Sequence, residues 1–337
     1  MTPPAPVPPR VPGPPRAPVV PSVPAVPAPV PGGRAARGFT VDPWDPSYGL
    51  AVRDEPDGGL GESSAQLDLD LELAAGRWRP VDPDPTTSLP GSLLFLDGVR
   101  RVDARIWLHG GGPEPAPGIA ASFAAGLVCC NSVARIEAVT VHRGLFTAAA
   151  GAADIATRHG RYPARRADAG GLDQLSLALQ RGLADAEVQL AVMFRASHPG
   201  GDDVLVVDGP LRGRSHLERT VGYIKTHHAS YLPGAQATVV ASLAPGQRTP
   251  VFAMGTSWRR ISWYLRLPGA DSGAGSGAIA GPGAGASSGL GAGSSPGSGA
   301  GSDVGVPWSG VVRLECSADL TPVEAIRLAD LTARVLP

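Results

Sequence analysis

Cysteine is scarce in this chain, which has three cysteines among 337 residues: Cys129, Cys130 and Cys316. An odd number of cysteines without a recognisable spacing argues against a disulfide framework and against a zinc knuckle. The adjacent pair lies in the apolar run GLVCCNSV, where cysteines behave as small core residues. We therefore expect no structural role for cysteine beyond packing.

Net charge and long apolar runs are also lacking. The 29 Lys and Arg residues almost balance the 30 Asp and Glu residues, so the formal charge is −1. The whole molecule is thus not an electrostatic attractor for nucleic acid, and any such binding has to be local. No apolar run approaches the roughly 20 residues that a membrane span needs. The N-terminus lacks a signal-peptide pattern, and we expect a cytoplasmic protein without a membrane partner.

Proline and glycine, in contrast, are abundant and concentrated in two stretches. Residues 1–38 are mostly Pro, Ala, Val and Arg, which predicts an extended, disordered arm. Residues 269–306 are Gly, Ser and Ala, typical of a flexible coil. This second stretch lies between SWRRISWYLRLPG and WSGVVRLECSADL, which both have strand composition. We therefore predict one domain over residues 39–337, interrupted by a disordered loop, with about 230 residues available for its core.

Hydrophobic periodicity predicts the order of elements in that domain. The segment SLLFLDGVRRVDARIWLHGG predicts a hairpin that turns at Asp97-Gly98. Further extended stretches follow at 119–130 and 134–142. Apolar residues at three- and four-residue steps predict a helix over 171–196, and DVLVVDG predicts a buried strand directly after it. This order indicates an α/β fold with a mixed sheet flanked by helices.

Two of these segments share a pattern that suggests chemistry. LLFL runs into Asp97-Gly98, and VLVV runs into Asp208-Gly209. An aspartate that ends a buried strand lies at the sheet edge where ligands bind. If the strands are adjacent and parallel, the two carboxylates converge and need a cation between them, and hard oxygen ligands suit Mg²⁺ or Mn²⁺. The alternative is that each Asp-Gly pair is only a turn.

Glu187 is a third candidate metal ligand, because it falls at the edge of the apolar stripe of the predicted helix. A carboxylate there is costly unless it is paired, bound to metal or able to reach solvent. The alternative is a side chain at the edge of the stripe that extends to water.

A local basic strip follows Asp208. Between residues 209 and 228 the chain contains four cationic residues and three histidines against one acid: Arg212, Arg214, Arg219, Lys225, His216, His227, His228 and Glu218. These cations could contact phosphate oxygens, and a histidine beside carboxylates could protonate a leaving oxygen. A solvated loop is the alternative. The patch from Trp258 to Tyr264 could stack bases, although alternating strand burial explains it equally well.

Together these segments resemble the NurA nuclease family, whose catalytic core has the ribonuclease H-like fold. The order of LLFLDG, the hairpin through DARIWLH, the helix with Glu187, VLVVDG, VGYIKTHH and SGVVRLEC matches that family. The resemblance implies a ribonuclease H-like α/β fold and a metal-dependent DNA nuclease in end processing or repair. It also implies Mn²⁺ or Mg²⁺ as cofactor, a homodimer, and a HerA-type hexameric ATPase as partner.

The resemblance also suggests roles for individual residues. Asp97, Glu187 and Asp208 would bind the metal, and Lys225 and His228 would complete the catalytic set. DNA would be held by four basic residues: Arg100, Arg212, Arg214 and Lys225.

One departure from the family concerns the C-terminus. The family ends in a further helix with a last ligand, whereas this sequence stops at LADLTARVLP. Asp330 lies mid-helix there and is a poor substitute. We therefore keep a second hypothesis, a non-catalytic DNA-binding or scaffold subunit that retains the fold. An actin-like nucleotide-binding protein would need glycine-rich phosphate loops, which the sequence lacks.

Overall fold

The computed structural model describes residues 38–43, 61–62, 65–109, 114–226, 229–255, 258–268 and 308–336. The predicted arm at 1–38, apart from Gly38, and the predicted loop at 269–306 lie outside these described residues. The strands are, in chain order, β1 (Phe39–Val41), β2 (Gly61–Glu62), β3 (Gln66–Asp68), β4 (Ser92–Leu108), β5 (Ala116–Cys130), β6 (Ala134–Thr147), β7 (Ile155–Thr157), β8 (Gly160–Tyr162), β9 (Ala164–Arg166), β10 (Asp203–Asp208), β11 (Thr220–Ile224), β12 (Ala229–Ser230), β13 (Phe252–Gly255), β14 (Arg259–Arg266) and β15 (Val311–Ser317). The helices are α1 (Leu172–Ser197), α2 (Gly234–Ala241) and α3 (Pro322–Val335).

The chain divides into two compact units. The first contains residues 1–51 and 96–194, and the second contains residues 52–95 and 195–337. The boundary falls inside β4, so this strand begins in the second unit and continues in the first. The prediction of one domain over residues 39–337 stays a prediction.

The first unit combines a mixed sheet with the long helix α1. Strands β5 and β6 form an antiparallel hairpin, and β6 pairs in parallel with β9. In β5 the odd-numbered side chains from Ile119 to Cys129 are buried. This alternation is typical of a strand in a sheet that is covered on one face. Helix α1 buries the middle of its predicted apolar stripe, from Leu175 to Leu190, whereas Leu172 and Met193 at the ends of the stripe are exposed. The predicted helix over 171–196 and the predicted strands at 119–130 and 134–142 are therefore confirmed.

The predicted hairpin at Asp97-Gly98 is wrong. Residues 92–108 form the single long strand β4, and its last residues pair antiparallel with β1. Gly98 is not among the described glycines with positive φ, so this Asp-Gly pair adopts extended backbone instead of a hairpin turn. Asp97 consequently lies within a strand and does not end one.

The second unit contains a mixed sheet in the order β3-β13-β14-β15-β11-β10. β10 and β11 are parallel, and the other neighbouring strands in this series are antiparallel. Residues 204–207 of β10 are all buried, which confirms the predicted strand with both faces covered. β14 and β15, which flank the predicted glycine-rich loop, pair with each other as predicted strands.

Helix α3 closes the core of the second unit. Its N-terminus carries a capping box, in which Thr321 accepts from the backbone N–H of Glu324 and Glu324 accepts from the backbone N–H of Thr321. Ala325, Leu328 and Ala329 pack into the hydrophobic cluster that contains Val204 and Val206 of β10. The helix is therefore fixed by a cap at one end and by apolar burial along one face.

Asp330 of α3 takes part in a buried ion cluster. Arg248, which is 1% exposed, donates to Asp330 at 2.7 Å and to the two carboxylate oxygens of Glu72 at 2.8 and 3.0 Å. Burial alone would lower the pKa of Arg248, but the hydrogen bonds and charges of Glu72 and Asp330 outweigh it and raise that pKa. Asp330 is therefore a structural ion-pair partner.

The α/β class with mixed sheets is confirmed, whereas the ribonuclease H-like arrangement stays a prediction. Within the described ranges, no helix is both long and apolar enough to cross a membrane.

We expect the substitution Arg248→Met to lower the free energy of unfolding by about 3–5 kcal/mol, because it leaves the buried carboxylate of Asp330 and the partly buried carboxylate of Glu72 without their cation. Urea denaturation followed by circular dichroism measures this loss. The matched control is Arg181→Met, whose partner Asp168 is exposed, and we expect it to cost less than about 0.5 kcal/mol. Equal effects of the two substitutions would contradict the structural role of the cluster.

Candidate active site

The first unit places Glu187 of α1 against β4 at Gly98, the residue that follows Asp97. Asp97 is exposed, and its Oδ1 accepts a hydrogen bond from the backbone N–H of Gly98 at 2.7 Å. A Cβ built on Gly98 would lie only 2.3 Å from Oε1 of Glu187. The missing side chain of Gly98 therefore provides the space that the Glu187 carboxylate occupies on one face of β4, whereas strand alternation directs the Asp97 side chain to the other face.

Helical periodicity explains why Glu187 reaches this position. Leu183 and Ala186 are buried on the same helix, while Glu187 is half-buried at the edge of that apolar stripe. The neighbouring acid Asp185 is exposed. The sequence placed Glu187 at the edge of the apolar stripe, and in the structure it lies against β4, the strand that carries Asp97.

Asp208 in the second unit ends β10, as predicted. Gly209 follows with a φ of +83°, a left-handed conformation that glycine adopts without strain. Because β10 and β11 are parallel and Asp208 is in register with Tyr223, the carboxyl ends of both strands meet at one edge. This edge brings Lys225, just beyond β11, within 3.2 Å of the Asp208 carboxylate.

The surroundings of this ion pair are partly aromatic. The ammonium group of Lys225 lies 5.8 Å from the centre of the Tyr223 ring. Burial raises the pKa of Tyr223, and the negative charge of Asp208 raises it further. Tyr223 therefore stays neutral near pH 7 and adds no charge beside this ion pair.

The other predicted site residues have different surroundings. Arg212 is exposed and Arg100 is half-buried. Arg214 is only 4% exposed and contacts the carbonyl of Pro210 at 3.5 Å, so we leave it out of the proposed DNA-binding surface. His228 lies outside the described residues.

The aromatic patch from Trp258 to Tyr264 is mostly buried in β14. Residues 260–264 are buried, and burial raises the pKa of Tyr264 to about 12. Strand burial therefore accounts for this patch, and base stacking is not needed to explain it.

The predicted metal ligands fall in both units. Asp97 and Glu187 belong to the first unit, and Asp208 belongs to the second. Among the residues that the structure describes, no three His, Cys, Asp or Glu side chains form a group arranged to hold a metal ion. The role of Asp97, Glu187 and Asp208 as one ligand set stays a prediction.

Sequence reasoning gave no chemical role to a buried cluster around Glu315. This carboxylate is fully buried: its Oε1 accepts from the backbone N–H of Leu211 at 2.8 Å, and its Oε2 lies 3.1 Å from Arg260 and 3.2 Å from Arg313. Alternation along β15 places Arg313 and Glu315 on the same face, which is a local signal. Their contacts with Arg260 and Leu211 join segments that are distant in the sequence, so no local sequence pattern predicts them.

The comparisons with known proteins include a weak structural likeness. No protein-family model matches the sequence, and a search of curated proteins finds no match. Among solved structures, the chain is similar to the crystal structure of the NurA nuclease from Sulfolobus solfataricus, with 11% identity, 77% of each chain covered and a TM-score of 0.40. A likeness of this degree carries no argument about function, so the resemblance to that family rests on the sequence motifs.

Proposed function

We propose that the chain is a divalent-metal-dependent DNA nuclease that uses Mn²⁺ or Mg²⁺ and acts in DNA end processing or repair. The observation that carries the proposal is the close approach of the Glu187 carboxylate to the strand that bears Asp97, in the space left by Gly98. The order of the sequence motifs supports the same reaction class.

The donor set in the first unit suits a hard divalent cation. Carboxylate oxygens are the ligands that Mg²⁺ and Mn²⁺ prefer. Asp97 is exposed and Glu187 half-buried, so ions in solvent can reach each of these carboxylates. The assignment of Asp97, Glu187 and Asp208 as metal ligands rests on the sequence resemblance.

A bound divalent ion would supply activation of water and stabilisation of the leaving oxygen. The protein side chains would position the DNA and supply positive charge to its phosphates. Lys225, whose side chain is 60% exposed, can neutralise a phosphate oxygen near Asp208, and the exposed Arg212 can hold the DNA backbone. Roles for His228 and Arg100 rest on the sequence resemblance.

A second candidate function is a DNA-binding or scaffold subunit without turnover. It is favoured by the ion pair at 3.2 Å between Asp208 and Lys225, since this pair already gives one proposed metal ligand a cation. The two functions differ in metal-dependent cleavage and share DNA binding, so one assay separates them.

Cleavage of labelled single-stranded DNA in the presence of manganese tests the enzyme. We expect Glu187→Gln to lower the cleavage rate by about 100-fold or more, because the substitution removes a charged metal ligand. The matched control is Asp185→Asn, two residues away on the exposed face of the same helix, which should retain the rate within about twofold. DNA binding without manganese-dependent cleavage would favour the scaffold subunit, and full activity of Glu187→Gln would contradict the proposed ligand.

Gly98→Ala tests the observation on which the proposal depends. The added Cβ would lie 2.3 Å from Oε1 of Glu187 and 2.7 Å from Cδ1 of Leu183, the mobile ends of two flexible side chains. We therefore expect a loss of less than about 1 kcal/mol in the free energy of unfolding, but a cleavage rate at least about tenfold lower. Gly126→Ala in β5 is the control, because its Cβ would meet nothing within 4 Å. A Gly98→Ala variant that cleaves at the normal rate would contradict a role for the Glu187 position.

We also propose that the chain forms a homodimer through β6. Within the described residues, no strand pairs with the outer edge of β6 between Ala134 and Gly144. Ile136 and Val141 on this strand are 64% and 62% exposed. An open edge with apolar side chains is a surface onto which a second chain can add a strand. The HerA-type hexameric ATPase stays a prediction.

Light scattering coupled to gel filtration measures the oligomeric state. We expect a dimer for the unchanged chain and a monomer for Val141→Lys, since a charge on an exposed edge strand opposes pairing with another edge. Val99→Lys, on an exposed position of β4, should remain dimeric. A monomeric unchanged chain would refute the proposed dimer.

A further inference from the structure

The segment that follows β6 is rich in arginine. Residues 155–166, with the sequence IATRHGRYPARR, contain four arginines, one histidine and no acidic residue. They fold into the antiparallel hairpin of β7 and β8 and into β9, which pairs in parallel with the end of β6. Ile155 and Tyr162 of the hairpin pack against the buried cluster that contains Leu145 of β6. These arginines therefore belong to a folded part of the first unit.

Strand alternation decides which arginines share a side of the sheet. Leu145 faces the hairpin, so Arg143 and Thr147, two residues to either side of it on β6, face the same way. Arg166 of β9 is in register with Thr147 across the parallel pair, and its side chain points to the same side. Arg143 and Arg166 therefore both lie on the side of the sheet that carries the hairpin.

The hairpin adds a third arginine to this side. Arg158 lies in the turn between β7 and β8, where its Nε donates to Nε2 of the exposed His159 at 2.7 Å. A Cβ built on Gly160, at the start of β8, would lie 3.0 Å from Nη1 of Arg143. The missing side chain of Gly160 therefore lets the Arg143 guanidinium approach the turn that carries Arg158.

We call three exposed residues the arginine surface: Arg143, Arg158 and Arg166. Within the described part of the chain, none of the three forms an ion pair. Two acids of the same region are already bound. Asp154 pairs with Arg161 at 2.5 Å. Asp103 pairs with Arg101 at 2.7 Å and accepts from the hydroxyl of Tyr162 at 3.1 Å. The arginine surface therefore carries positive charge that these acids do not neutralise.

A cleft opens beside Arg166. It has a volume of about 140 Å³ and is lined by Thr147, by the turn at 149–152 and by residues 164–166 of β9. Apart from Arg165 and Arg166, its lining residues are Thr, Ala and Gly, so a small group can approach the backbone closely. Because a water molecule takes up about 30 Å³ in the liquid, the cleft has room for a group of a few heavy atoms, such as a phosphate.

We propose that the arginine surface binds the phosphate backbone of nucleic acid, with one phosphate in the cleft beside Arg166. A guanidinium presents a planar fork of donors that matches phosphate oxygens. Arg143 and Thr147, the neighbour of Arg166, are separated by about 13 Å along β6, which corresponds to about four phosphates of one duplex strand along its axis. The surface is therefore long enough to contact more than one phosphate.

The composition of this region favours nucleic acid over a membrane or an apolar protein surface. Among the described residues between 142 and 171, no large hydrophobic side chain is exposed. Membrane interfaces and the centres of protein interfaces both bind through exposed apolar side chains. The inference rests on nucleic acid being the ligand, as in the proposed function, but it needs neither a metal ion nor hydrolysis.

Fluorescence anisotropy of the full chain with a labelled oligothymidylate, in EDTA and over a series of salt concentrations, tests the surface. We expect the double variant Arg158→Ala/Arg166→Ala to weaken binding by about tenfold or more. The slope of log affinity against log salt should also fall by about 1.4, since each phosphate contact to a single strand contributes about 0.7.

Arg135→Ala is the matched control for this measurement. Arg135 is an exposed arginine on the same strand as Arg143 but about 26 Å away from it, so its loss should leave affinity and slope unchanged. Both residues of the double variant are exposed, and circular dichroism should show an unchanged fold.

Equal affinity and equal salt slope of the double variant and the unchanged chain would overturn the arginine surface, and so would an equal loss in Arg135→Ala. Absence of oligothymidylate binding, with polyglutamate bound instead, would also overturn it and indicate an acidic protein as the ligand. Because EDTA removes divalent metal, cleavage does not enter this measurement. Weakened binding by the double variant of a chain that never cleaves DNA would support the surface and refute the nuclease.

Discussion

The second unit depends on one buried charge, the carboxylate of Glu315. A fully buried carboxylate is tolerated only when its oxygens are paired and hydrogen-bonded, and Glu315 meets this condition with partners from three segments: Leu211 after β10, Arg260 on β14 and Arg313 on β15. A shift of any of these segments by one residue would break a pairing and leave the charge without compensation. The carboxylate thus couples the position of the loop after Asp208 to the register of the sheet.

In both units, a glycine on a strand leaves room for a neighbouring carboxylate. Gly98 makes space for Glu187 in the first unit, and Gly222 makes space for Glu315 in the second, where an added Cβ would lie 2.9 Å from Cγ of Glu315. The burial of the two acids differs. Glu315 is 0% exposed and bound on both oxygens, so it serves the fold, whereas Glu187 is half-buried and stays within reach of ions from solvent.

Local patterns predicted the elements better than they predicted the contacts. The apolar stripe of α1 and the apolar run of β10 identified a helix and a buried strand, because each depends on the period of its own segment. The hairpin at Asp97 was wrong because Asp-Gly favours a turn only when nothing else holds the chain extended, and pairing with distant strands does so in β4. Arg214 and the residues around Glu315 show the same limit: their burial is decided by segments far away in the sequence.

The pair formed by Asp208 and Lys225 bears on the difference between an enzyme and a binding subunit. Their side chains are 41% and 60% exposed, and ion pairs this exposed contribute at most about 1 kcal/mol. A contact so weak is exchanged at little cost when a stronger partner arrives, such as a phosphate oxygen for Lys225 or a divalent cation for Asp208. The buried pair of Glu315 and Arg313 has no such freedom, because separating it would leave a charge in the core. The weak pair is therefore compatible with the proposed nuclease, which depends on Glu187, a side chain that occupies the space left by the missing side chain of Gly98.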